Sequence, residues 1–107
     1  MKQITPAELA DWLGKKGRAG PVLLDVREPW EVQTCSIAGS RHVPMREIPA
    51  RKDEIDAAAD IVVICHHGGR SMQVAMFLEK SGFAKVHNLA GGVDSWPRTV
   101  DPSMPVY

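Results

Sequence analysis

The stretch Ile64-Cys65-His66-His67-Gly68-Gly69-Arg70-Ser71 puts a thiol, two imidazoles, a guanidinium and a hydroxyl within one short run. Ahead of it, Ile61-Val62-Val63-Ile64 is β-branched throughout and reads as a strand. Behind it, Ser71 to Lys80 sets Val74, Phe77 and Leu78 on one helical face, with Gly82 where a C-terminal glycine cap belongs. Cys65 is then the first residue past a strand end. Gly68 and Gly69 let the backbone curl around a small object, and the next helix aims its free N–H groups back at it. The result is an anion cradle with a sulfur at its centre. Donors aimed at a thiol favour its anion, the nucleophilic form. A cysteine that merely ends a strand in the core needs no Gly-Gly-Arg-Ser turn. Arg70 is open to two roles, steering an anionic donor or pinning the loop to a carboxylate such as Asp25 or Glu28. Ser71 is expected to cap the helix or to donate to the sulfur, with capping the first expectation.

The elements that must position this loop follow from the rest of the pattern. Thr5-Pro6-Ala7-Glu8 is a capping-box start, and Leu9, Trp12 and Leu13 share the face of a helix that Gly14 and Gly17 stop. Val22 to Val26 reads as a buried strand. Arg27 to Pro44 is mixed and predicts a loop with one helical turn and a short strand near Arg41 to Val43. Pro49 to Ile55 predicts a short helix with Ile48 and Ile55 inward, Lys85 to Leu89 a strand, and Gly91-Gly92 a helix ending at Trp96-Pro97. Strands alternating with helices predict a mainly parallel sheet covered on both faces. Ligands gather outside the carboxyl ends of such strands, where Asp25 and Cys65 would share an edge.

The chain has 107 residues, enough for one domain and one core. Lys plus Arg and Asp plus Glu each number 13, for a net charge of zero. That argues against partners held by bulk charge, so neither nucleic acid nor a membrane surface is expected. The apolar runs are far shorter than a membrane span, and Met1 to Pro6 lacks a signal-peptide core, so the expected location is the cytoplasm. With two cysteines in a reducing compartment, a functional thiol is favoured over a disulfide.

The loop resembles the active-site loop of rhodanese-like sulfurtransferases, and the likeness runs from about Thr5 to Trp96. Leu23-Leu24-Asp25-Val26-Arg27-Glu28 with Trp30-Glu31 is similar to the family's Asp-Val-Arg signature. Ile37-Ala38-Gly39-Ser40 through Pro44 resembles its Ile-Pro-Gly-Ala stretch, and Asn88-Leu89-Ala90-Gly91-Gly92 with Trp96 its Leu-x-Gly-Gly ending. The resemblance implies a three-layer α/β/α sandwich around a mainly parallel five-stranded sheet. It makes residues 1–107 a single domain, with 97–107 as an extended tail. It also implies a sulfurtransferase in which Cys65 carries sulfane sulfur as a persulfide. The N–H groups of His66, His67, Gly68, Gly69, Arg70 and Ser71 would bind the anion, and Asp25, Arg27 and Glu28 would support the site. Implied partners are a small donor, thiosulfate or a persulfide, and a thiol or cyanide acceptor. No cofactor is implied. The alternative is a binding or sulfur-relay module serving a partner protein.

Loop length separates this family from its relatives. Four residues lie between Cys65 and Arg70, where phosphatases and arsenate reductases of the fold have five, and the tighter loop suits one sulfur atom. Two departures stand out. His66 replaces the arginine common after the cysteine, which predicts weak use of thiosulfate, rising on acidification if His66 must be protonated. Cys35 stands near the usual Gly-His-Ile, and packing is expected for it ahead of a resolving role toward Cys65. Cys65, His66 and His67 are consecutive and expected to point apart, so no metal site is expected. His42 and His87 are expected at strand ends, Trp12, Trp30 and Trp96 in the core or at its rim, and residues 51–54 on a solvated face.

Overall fold

The computed structural model describes residues 1–15, 17 and 19–107. In chain order the elements are β1 (Lys2–Ile4), α1 (Pro6–Gly14), β2 (Val22–Asp25), α2 (Pro29–Thr34), β3 (Arg41–His42), α3 (Ile48–Arg51), β4 (Ile61–Ile64), α4 (Gly69–Lys80), β5 (Val86–Leu89) and α5 (Gly92–Thr99). Short 3-10 turns, Met45–Glu47 and Lys52–Glu54, flank α3. The strands form one sheet in the order β1-β5-β4-β2-β3, and every pairing is parallel.

Alternation along the central strands explains the layers. Ile61 and Val63 of β4 face one core cluster with Leu24, while Val62 and Ile64 face the other with Leu23. The first cluster is closed by Val74, Ala75 and Leu78 of α4 with Ile48 and Ile55. The second is closed by Leu9 and Trp12 of α1 with Val93 and Trp96 of α5. Strands buried on both faces are apolar at every position, which is why β4 reads as a continuous run.

Local chemistry sets the ends of the helices. The Thr5 hydroxyl accepts from the Glu8 N–H at 3.1 Å, and the Glu8 carboxylate accepts from the Thr5 N–H at 3.0 Å. At the end of α4, Gly82 takes a φ of +101° and the Phe83 N–H reaches the Leu78 carbonyl, a glycine-terminated helix as expected.

Some elements differ from the expectation. β1 was not anticipated, because a strand of three residues with one buried side chain carries no periodic signal. The segment after Arg27 forms a six-residue helix, α2. Around Ile48 and Ile55, turns and a four-residue helix replace one short helix. α5 runs past Trp96 to Thr99 with Pro97 inside it, so residues 97–99 are helical and not tail. The remainder folds back, with Met104 buried and Tyr107 half-buried.

Candidate active site

β4 delivers Cys65 to the carboxyl edge of the sheet, beside Asp25, whose strand position pairs with Ile64. The chain then turns through Gly68, at φ +110°, into α4. The turn brings the Gly68 N–H to 3.0 Å from the Cys65 sulfur. The Ser71 hydroxyl lies 3.2 Å from the same sulfur. Among the described residues, the N–H groups of His66, His67, Gly69, Arg70 and Ser71 take no protein acceptor. A loop and a helix N-terminus with open donors form an anion-binding concavity. Cys65 itself is 1% exposed and packs in the cluster of Leu24, Val26 and Val74. A reagent reaches its sulfur only when the surrounding groups shift.

A second turn supports the first. Gly91 and Gly92 open α5, and its N–H groups at Val93 and Asp94 donate to the carbonyls of Cys65 and His66 at 3.0 and 2.9 Å. Gly92 has φ +56°, and a side chain there would collide with those two carbonyls. Gly92 is thus required by the close approach of α5 to the cysteine loop, whereas a side chain at Gly91, φ +77°, would collide with Ser95.

Ser71 does not cap α4. It sits in the first turn, touches the Cys65 sulfur and donates to the Asn88 side-chain oxygen. Asn88, 1% exposed, in turn donates to the Gly68 carbonyl at 3.2 Å and to the Gln3 side chain at 3.0 Å. β1 and β5 therefore brace the loop. Within β5, Val86-His87-Asn88-Leu89, the fully buried polar side chain is Asn88, and an amide ahead of Leu89-Ala90-Gly91-Gly92 was the available signal of a buried role.

The supporting residues separate. Arg27 is fully buried and pairs with Asp25, its Nη2 at 2.7 Å and Nε at 2.9 Å. Its remaining donors reach the carbonyls of Cys35 and Glu31 and the Tyr107 hydroxyl. Burial opposes its charge, but the bonds to Asp25 and Tyr107 outweigh that and hold the guanidinium ionised. The Glu28 side chain lies outside this network and pairs with Arg46 on the surface at 2.7 Å. Arg70 is bound by neither Asp25 nor Glu28. Its Nη1 and Nη2 grip Glu31 at 2.6 and 2.8 Å. This fork is what pulls the Glu31 carboxyl down to about 2, with further help from the Glu28 N–H and the Tyr107 hydroxyl and against burial. Glu31 and Tyr107 were not singled out as site residues, since nothing local announces a contact between positions so far apart in the chain.

His66 and His67 do not point apart. Their ring centroids lie 3.9 Å from each other, and each Nε2 is 3.9 Å from an Asp94 oxygen. The three ligand-capable groups fall within 4.8 Å of one another, and an Asp94 oxygen also lies 3.5 Å from Arg98. Cys35 is buried in the cluster on the opposite face of the sheet from the one holding Cys65. Trp12 and Trp96 are core residues, and Trp30, 61% exposed, packs edge-on against Tyr107. His42 closes its strand on the Arg27 carbonyl at 2.6 Å.

A parallel five-stranded α/β sandwich with a cysteine loop at its carboxyl edge defines a class, and comparison with known proteins agrees. The rhodanese-like domain model matches residues 5–99, and the chain belongs to that family. It is 36% identical over 98 residues to the thiosulfate sulfurtransferase GlpE of Pseudomonas fluorescens, covering 92% of this chain and 86% of that one. It is 39% identical over 74 residues to the putative sulfur carrier protein YrkF of Bacillus subtilis, covering 69% of this chain and 40% of that one. A solved rhodanese-like domain protein from Staphylococcus aureus superimposes with a TM-score of 0.84 at 27% identity, over 100% of this chain and 99% of that one. The chain spans only 20%, 30% and 40% of several longer curated relatives. Sulfur transfer in general is the family's theme. Among the described residues, no helix is long and apolar enough to cross a membrane.

Proposed function

We propose that the protein is a sulfurtransferase that carries sulfane sulfur as a persulfide on Cys65. The observation that carries this reading is the Gly68 N–H on the Cys65 sulfur at 3.0 Å, within a loop whose other donors are open. With thiosulfate, the Cys65 thiolate attacks the outer sulfur. A new S–S bond forms, the old one breaks, and sulfite leaves with the electron pair. With a persulfide donor, a thiolate leaves instead. The terminal sulfur of the Cys65 persulfide is an anion, which the free N–H groups from His66 to Ser71 are disposed to hold by charge-assisted hydrogen bonds. A thiolate or cyanide acceptor then attacks that sulfur, and Cys65 departs as the thiolate.

Ser71 suits both states of the sulfur. A hydroxyl has one proton, and it lies on Asn88, so the Ser71 oxygen accepts from the Cys65 thiol. When the sulfur is an anion, the same hydroxyl turns to donate to it. Arg70, in the first turn of α4 with 36% of its side chain exposed, offers a guanidinium to an anionic donor.

The test is intact mass after incubation with thiosulfate and, separately, with a low-molecular-weight persulfide. A gain of about 32 Da, one sulfur, is expected on the wild type and none on Cys65→Ser. A gain on neither protein with either donor would overturn the enzyme reading in favour of a binding module.

A further inference from the structure

Glu31 divides its two oxygens among several donors. Oε1 takes Arg70 Nη1 and Oε2 takes Arg70 Nη2, and the Tyr107 hydroxyl adds to Oε2 at 2.8 Å. The direction of that bond is fixed by chemistry. A guanidinium only donates and an ionised carboxylate only accepts. Arg27 Nη1, 2.8 Å from the Tyr107 oxygen, must donate to it, and the phenol proton must go to Glu31. The hydroxyl keeps that proton, because burial pushes the phenol up to about 12. The ring is held as well. It stacks on His66 at 3.9 Å and 9°, and Trp30 meets its edge at 5.7 Å. Side chains from α2, the cysteine loop and β2's end thus converge on one phenol.

We propose that Tyr107 is a positioning residue for the cysteine site: bridging the buried Arg27 to Glu31, it sets the carboxylate that aims Arg70 at incoming anions. Arg70 stands in the first turn of α4, next to Ser71, whose hydroxyl lies 3.2 Å from the Cys65 sulfur, so its aim affects what approaches the loop. Loss of the hydroxyl leaves Glu31 with Arg70 and the Glu28 N–H at 3.0 Å, and cuts the carboxylate's tie to the buried Arg27. The inference rests on Cys65 being a reactive thiol and does not need turnover.

The experiment compares alkylation of Cys65 by anionic iodoacetate and by neutral iodoacetamide, read by peptide mass at Cys65. In both, the thiolate attacks the iodine-bearing carbon and iodide leaves with the bonding pair. A well-aimed Arg70 favours the anionic reagent. Arg70→Gln is expected to lower the iodoacetate-to-iodoacetamide rate ratio by about tenfold, Tyr107→Phe by about threefold, and Tyr107→Phe to add nothing in the Arg70→Gln background. Glu31→Gln is expected to follow Tyr107→Phe. Tyr107→Phe keeps the stacked ring, and thermal unfolding confirms that each variant is folded. An unchanged ratio in either Tyr107→Phe or Arg70→Gln overturns the proposal, as does full additivity. Equal acceleration of both reagents by Tyr107→Phe also overturns it, since Tyr107 would then be only a cover. Sulfur loading is scored separately, so a protein that never loads sulfur but shows this ratio pattern loses the proposed function and keeps this inference.

Discussion

Arg27 and Arg70 are both gripped by a carboxylate through two nitrogens, and both belong to the network of Glu31 and Tyr107. Arg27 has no exposed surface, whereas 36% of the Arg70 side chain meets solvent. Arg27 spends every nitrogen inside the protein, on Asp25, two backbone carbonyls and a phenol. Arg70 spends two on Glu31 and keeps part of its side chain at the surface. The same side chain therefore does structural work where its hydrogen bonds are exhausted by the fold. Where the fold leaves one face of it open, it stays within reach of solvent and solutes.

The largest consequence is for stability. Arg27→Met leaves Asp25 buried and unpaired and frees two carbonyls, which should cost about 3–5 kcal/mol. For a domain of this size that is a fall in Tm of roughly 15 °C or more. Arg70→Met should cost only about 1–2 kcal/mol, because water takes over part of its role. Thermal melts of the two variants give the comparison directly, and equal losses would break it. The double variant Asp25→Leu, Arg27→Met should recover much of the loss, since no charge is then stranded.

Acid unfolding sharpens the same contrast. Glu31 is held down to about 2, chiefly by Arg70, while in the unfolded chain it titrates in the ordinary carboxylate range. A carboxylate depressed in this way stabilises the fold fully above its unfolded value. That contribution is lost as pH falls from about 5 toward 2. Denaturant titrations across that window should show a shallower loss of stability in Glu31→Gln than in the wild type. Parallel curves would mean that the fork between Glu31 and Arg70 stores no such energy.

How much of this was written in the chain depends on the range of each interaction. β4, α4 and the loop between them were legible because their signals are local: a β-branched run, a helical period and two glycines. The capping box at Thr5 and Glu8 was legible for the same reason. For Arg70 a carboxylate partner was one of two roles, with Asp25 and Glu28 as examples; the partner is Glu31, of the same signature, because α2 turns that side chain toward the loop. Ser71 looked like a cap because hydroxyls at helix starts usually are. Its actual partner, Asn88, comes from a strand on the other side of α4 in sequence. Tyr107 was invisible because its partners, Arg27 and Glu31, are brought to it only by the return of the chain after α5.

The smallest effect belongs to Cys35, the thiol on Arg27's side of the comparison. Its sulfur lies 3.9 Å from Arg27 Nη1 and its carbonyl accepts from Nη2 at 2.7 Å. The backbone contact survives Cys35→Ala, which removes one buried atom and leaves a small gap, worth about 1 kcal/mol. Cys35 and Cys65 pack in clusters on opposite faces of the sheet, so a resolving role would need the chain to rearrange between them. Cys35→Ala should therefore load sulfur on Cys65 to the wild-type extent, with a melt only a few degrees lower. A variant that loaded sulfur but could no longer discharge it to a thiol acceptor would move Cys35 from the structural side to the chemical one.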